Sequence, residues 1–289
     1  MPKNPNQNNK QMKRLLQIEL QKIWLNKASR ILTLTYFILL SFIALIAAVK
    51  IDFGPIQLHL AEMGIFNFPY IWHFNTYVAD FFKFFLAVVI VSMMANEYSY
   101  GTLKQNLIDG LSKKEFIQSK FLTVIAFALS STVFVFLMSL ILGFSFSSYT
   151  EIGIVFTDMQ YILAYFVKLV GFFSLCLLLG ILVKRSAFAL GFLILIYMIE
   201  GILHLILRFI LFTTSPQLVD NITSLFPLES MSNLILEPGS RLSAVKGVTA
   251  QLGMGDKDYD VHFFTILIVI IWTVIFMLMS YKLLKKRDL

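Results

Sequence analysis

The chain has 289 residues, 58% of them hydrophobic and 14% charged, with a mean hydropathy of +0.78. That balance is far more apolar than the half-apolar, quarter-charged make-up of a soluble domain, so it excludes water as the main solvent of the fold. The net charge of +7 and pI near 9.3 equal those of a nucleic-acid binder in amount, but membrane proteins gather the same excess in retained loops, so position decides.

In chain order, residues 1–10 are rich in Asn, Gln, Pro and Lys and read as a disordered tail, with 11–289 as a single membrane domain. From Gln11 to Ser29 the apolar Met12, Leu15, Leu16, Leu20, Ile23 and Trp24 recur at helical spacing, opposite Lys13, Arg14, Gln17, Gln21 and Lys22. This pattern predicts an amphipathic helix lying along the membrane surface. The run from Ile31 to Val49 is longer than a signal core and no small-x-small site follows it, so it is expected to stay as the first span.

Further apolar runs long enough to cross the hydrocarbon core extend over Trp72–Ala95, Phe121–Phe146, Tyr161–Val183, Ala187–Phe212 and Val261–Tyr281. The expected fold is therefore all-α and polytopic, with six crossings. The N-terminal region, the second and fourth connections and the C-terminus hold 17 Lys and Arg, against 4 in the other three connections, which predicts cytoplasmic termini. The outer connections at residues 50–71 and 213–260 are too long for simple turns. In the latter, Pro216, Pro227 and Pro238 punctuate two short apolar stretches, Ile222–Leu228 and Met231–Leu236, which read as short helices on the outer membrane face before the last span.

Charges inside spans cost at least about 2.5–3.5 kcal/mol each on insertion scales, so each needs a partner, water or a use. Glu200, His204 and Arg208 follow at steps of four in the fifth span, with Tyr197 extending the stripe. They read either as a self-paired ladder or as a polar strip on a translocation path. Asp80 and Lys83, three apart in the second span, are expected to pair, while Lys168 in the fourth span reads as snorkelling or as meeting Glu200. Trp72 and the many Phe fit lipid contact and aromatic belts, and His59, His73 and His262 fit interfacial places rather than a metal site. The single Cys176 sits in an apolar run, which excludes an internal disulfide.

The most informative segment runs from Asn96 to Lys120, between the second and third spans. Leu103, Leu107 and Ile108 fall at helical spacing around Lys104, Gln105 and Asn106, and Gly110 is placed to end the helix, so a short cytoplasmic helix is predicted. Glu97, Gly101, Thr102, Ser112, Lys113 and Lys120 resemble the motif of type 2 permeases of ATP-binding-cassette (ABC) transporters: a Glu, Gly-Thr, a Ser-Arg-like pair and a Lys after the second span. This chain has Gly110 where that family usually shows Pro, and Lys113 where it shows Arg.

The resemblance implies that Glu97, Gly101, Thr102, Leu103, Lys104, Leu107, Ser112, Lys113 and Lys120 belong to a coupling loop that docks on a separate ABC ATPase subunit. It implies a second permease copy or homologue, as homodimer or heterodimer, and a place in the bacterial cytoplasmic (inner) membrane. ATP and Mg would then be bound by the partner, and no phosphate loop occurs in this sequence. On this reading the chain is not an enzyme, has no catalytic residues or cofactor of its own, and does not bind nucleic acid. Two other classes stand beside it: a membrane-embedded enzyme using Glu200 and His204 as base and acid, and an ion-driven carrier with broken helices near the midplane.

Overall fold

A computed structural model describes residues 5–48, 50–53, 56–59, 64–211, 216–241 and 258–287. Its helices are α1 (Pro5–Leu25), α2 (Lys27–Ala48), α3 (Tyr70–Ser99), α4 (Thr102–Ile108), α5 (Lys113–Phe146), α6 (Ile152–Val155), α7 (Gln160–Val183), α8 (Ser186–Leu211), α9 (Pro216–Thr223), α10 (Pro227–Ser232) and α11 (Phe263–Lys285). Between α2 and α3 lies a two-stranded antiparallel hairpin, β1 (Lys50–Phe53) and β2 (Ile56–His59), in a fold that is otherwise helical as expected. Residues 5–10 of the expected tail are helical, and 1–4 lie outside the described residues.

Among the described residues, five helical stretches are long and apolar enough to cross a membrane: Tyr70–Ser99, Lys113–Phe146, Ile152–Val183, Ser186–Ile210 and Phe263–Lys285. The chain is thus a membrane protein of helical architecture. The run expected as the first span falls on α2; it extends past residue 43, beyond which no side chain of α2 is described, and Val49 lies outside the described residues.

At the centre of the bundle is α7, the most buried of these stretches, packed against α3, α5, α8, α10 and α11. A small residue permits one of the close approaches: a Cβ added at Gly180 would stand 2.9 Å from Met94 Cβ and 3.3 Å from the Val91 carbonyl. With no hydrophobic drive between helices in lipid, such backbone proximity supplies the van der Waals contact that holds α3 on α7. Between α2, α5 and α7 the hydroxyls of Tyr36, Ser131 and Tyr165 bond one another, so three buried polar groups satisfy themselves. In contrast α8 is the least buried, with Phe188, Phe192, Met198, Leu205 and Phe209 among its exposed side chains.

The expected short helices before the last span are present as α9 and α10, but not on the outer face. Trp272 donates its indole N–H to the Leu225 carbonyl at 2.9 Å, and Glu200 accepts from the Leu228 and Glu229 N–H groups at 3.0 and 3.1 Å. At 1.5 Å rise per residue these partners lie about 14 Å inside the end of α11 and about 17 Å inside that of α8. The α9–α10 turn therefore dips between helices to mid-bundle depth. This is tolerable because its freed N–H and C=O groups meet side chains from both walls.

Candidate functional site

Gly101 starts the predicted cytoplasmic helix by taking φ +67°, a left-handed conformation that other residues resist, and α4 then runs for only seven residues. Past α4, Gly110 again has positive φ, and Ser112 caps α5 in a reciprocal box with Glu115. A helix this short has little stability of its own. What holds it is visible in its neighbours.

The carboxylate of Glu97, at the end of α3, is the hub. Its Oε1 accepts from Lys120 Nζ at 2.6 Å and Lys22 Nζ at 3.0 Å, while its Oε2 accepts from Thr102 Oγ1 at 2.6 Å. Lys120 also donates to Glu19 Oε2 at 2.5 Å, and Lys22 reaches Glu19 Oε1 at 3.4 Å. Two anions and two cations from α1, α3 and α5 thus close a balanced cluster, with Lys120 fully buried and Glu97 3% exposed. Burial opposes the Lys22 ammonium, but Glu19 and Glu97 outweigh it and raise its pKa above the ordinary lysine value.

Thr102 ties α4 to this cluster at its first residue, and Leu103 anchors it by packing inward, 2% exposed. Leu103, expected within the coupling loop, thus faces the bundle rather than outward. The outward surface consists of Tyr100, Lys104, Gln105 and Ile108, with Leu107 half-buried. A cleft of ≈ 330 Å³ opens beside the cluster, lined by Ile23, Leu25, Asn26, Met93, Asn96 and Tyr100 with the charged groups at its side.

Lys113 serves the C-terminal segment: its Nζ donates to the carbonyls of Lys285 at 3.3 Å and Arg287 at 2.8 Å. Arg287 in turn donates to Tyr98 Oη and to the Ile181 and Leu182 carbonyls, which α7 leaves free at its end. The segment from α4 to the start of α5 is thereby fixed to α1, α3, α7 and α11. Of the nine residues named for the coupling loop, the structure joins Glu97, Thr102 and Lys120 directly. Sequence reasoning missed Glu19 and Arg287. The only signal for Glu19 was its place three residues before Lys22.

The stripe on α8 is arranged differently from a self-paired ladder. Glu200 spends both oxygens on the α10 N–H groups, and no ion pair joins it to His204 or Arg208 among the described residues. Tyr197 lies near Phe84, with ring centroids 6.2 Å apart. Lys168 pairs not with Glu200 but with Asp80, at 3.0 Å, and Asp80 also holds Lys83 at 2.8 Å.

At the end of the bundle opposite α4, two aromatic expectations are corrected. Trp72 is fully buried, donating to the Val155 carbonyl at 2.7 Å and stacked on Phe136, because its indole N–H needs an acceptor that lipid cannot supply. His73 is buried too, stacked 4.2 Å from Tyr161. Its Nδ1 lies 3.2 Å from Arg241, whose guanidinium only donates, so Nδ1 accepts and Nε2 donates to the Leu236 carbonyl at 2.8 Å. Arg241 completes this clasp on Tyr161 Oη and Asp158. His262 pairs with Asp258, and the side chain of His59 lies outside the described residues.

Comparison with known proteins adds two findings. A protein of Bacillus subtilis (strain 168) bearing the name "Uncharacterized protein YhcI" is 32% identical over 79 residues, which are 26% of this chain and 25% of that protein. The match thus spans about a quarter of the relative's length. The family model described as "Protein of unknown function (DUF2705)" matches residues 33–289, nearly the whole chain, so the protein belongs to the DUF2705 family.

Proposed function

We propose that this protein is the permease subunit of an ATP-driven exporter of the type 2 ABC class, powered by a separate ATPase subunit. The observation that carries the reading is the Glu97–Thr102–Lys120 junction. It fixes a short helix rigidly against three long ones while leaving Tyr100, Lys104 and Ile108 outward. A helix fixed in this way moves only with the bundle. Force from a docked partner would therefore reach α1, α3 and α5 together instead of bending a loop.

In this reading α2 is the first of six crossings, α1 rests along the cytoplasmic membrane surface, both termini are cytoplasmic and the membrane is the bacterial inner one. The sparsely covered α8 meets lipid and a second permease, in a homodimer or heterodimer, and its Tyr197, Glu200, His204 and Arg208 lie along the translocation path. ATP and Mg belong to the partner.

The test is Ile108→Asp, with Lys104→Glu as a second probe. Ile108 is 70% exposed, so stability should change by no more than about 0.5 kcal/mol while export falls and the partner's ATP hydrolysis no longer drives it. Export and hydrolysis that stay coupled at the wild-type ratio in both variants would overturn the docking role.

A further inference from the structure

Most charge clusters in this bundle balance: Glu19 and Glu97 meet Lys22 and Lys120, and Asp158 meets Arg241. One does not. Asp80 of α3 receives Lys83 of the same helix, at 2.8 and 2.9 Å, and Lys168 of α7 at 3.0 Å. No second carboxylate pairs with either ammonium among the described residues. The side chains are 16% (Asp80), 8% (Lys83) and 3% (Lys168) exposed, at about 12 Å (Lys168), 15 Å (Asp80) and 20 Å (Lys83) along α7 and α3 from their outer-connection ends.

One carboxylate neutralises one ammonium, so two lysines around one aspartate leave a unit positive charge deep in the apolar part of the molecule. The Lys83 ammonium also sits 4.8 Å from the Phe172 ring centroid and 5.8 Å from that of Phe84, and both aromatic faces favour a cation. They soften the imbalance without removing it, because a ring supplies a quadrupole and no counter-charge. An uncompensated cation at this depth is costly and marks an ion or substrate pathway more often than a framework. Asp80 keeps some exposure, and at the nearby seam between α3 and α8 the exposed Phe84 and Tyr197 meet with ring centroids 6.2 Å apart.

We infer that the Lys83–Asp80–Lys168 triad is a binding site for an oxyanion, a phosphate or phosphate ester, entered from the α3–α8 seam. Lys168 and Lys83 supply the charge, and Asp80 holds the two ammoniums apart and oriented so that both face one anion. The inference needs only the triad and the seam, and it stands whether or not an ATPase docks on α4.

The experiment uses the full chain in nanodiscs of phosphatidylcholine, comparing the wild type with Lys168→Met, which leaves Asp80 and Lys83 as a balanced pair. Thermal unfolding is followed with inorganic phosphate added or with phosphatidylglycerol included at one lipid in five. Native mass spectrometry of the wild type records retained adducts. The expected result is a rise of roughly 3 °C in the wild-type midpoint with one of these probes, the size that a tenfold ligand excess gives a chain of this length, and no rise in the variant. Protection by phosphate alone would identify a free anion as the ligand, and protection by the anionic lipid alone a lipid headgroup. No protection by either probe, the same protection in the variant, or a wild-type chain that retains neither species would overturn the assignment.

Discussion

Replacing Lys120 by Met is expected to cost about 3–5 kcal/mol, the range for removing one partner from a buried ion pair. Lys120 is fully buried and bonds Glu19 and Glu97 at 2.5 and 2.6 Å, so its loss strands two carboxylates with Lys22 as their only cation among the described residues. Most of the cost is the desolvation of an anion left without compensation, not the loss of contacts. The double variant Glu97→Gln, Lys120→Met retains Glu19 with Lys22 and should therefore unfold at a higher temperature than Lys120→Met alone. A midpoint for Lys120→Met equal to that of the exposed control Lys104→Met would contradict the cluster. So would a double variant whose loss equals the sum of the single losses.

The second large effect is expected at Glu200. Its carboxylate accepts both N–H groups at the start of α10, and Ala would leave those donors unmet at mid-bundle depth. Each unsatisfied buried donor costs about 1–3 kcal/mol, so Glu200→Ala should lose about 2–6 kcal/mol and free the α9–α10 hairpin. Faster proteolysis and hydrogen exchange within residues 216–232 check this directly. Glu200→Gln retains one acceptor oxygen and should fall between Ala and the wild type. If Ala leaves exchange in α9 and α10 unchanged, the carboxylate is not what holds that hairpin.

The apolar runs made the long helices legible, and Gly110 announced the end of α4, because solvent demand and backbone freedom are local properties of residues. Partners were not legible in the same way. Helical period says which residues share a face, but not what that face meets. Asp80 and Lys83 are three apart and could be paired from the sequence, whereas Lys168 joins them from another helix. Lys22 and Glu97 are likewise separated by 75 positions, and Glu19 and Lys120 by 101.

The α9–α10 hairpin shows the same limit. Its prolines and short apolar stretches suit a surface helix and a helix between walls equally well, and only the acceptor on α8 and the donor on α11 distinguish them. Trp72 was read toward lipid because aromatic residues gather at interfaces, yet its indole N–H found a carbonyl inside. Within the candidate site, the spacing of Glu97, Gly101, Thr102 and Lys120 was visible as a set. That Leu103 turns inward and Ile108 outward was not, since both are apolar and lie on one short helix.

On the proposed function, the surface of α4 is gripped by a nucleotide-hydrolysing subunit. The most direct measurement is reconstitution of the purified full chain into liposomes, with and without an ATPase subunit that copurifies with it, reading cargo movement and ATP hydrolysis together. The expected result is a phosphate-loop ATPase in equal stoichiometry, transport that requires it, and loss of its binding in Ile108→Asp. Transport at full rate by this chain alone, with no such subunit bound, would contradict it.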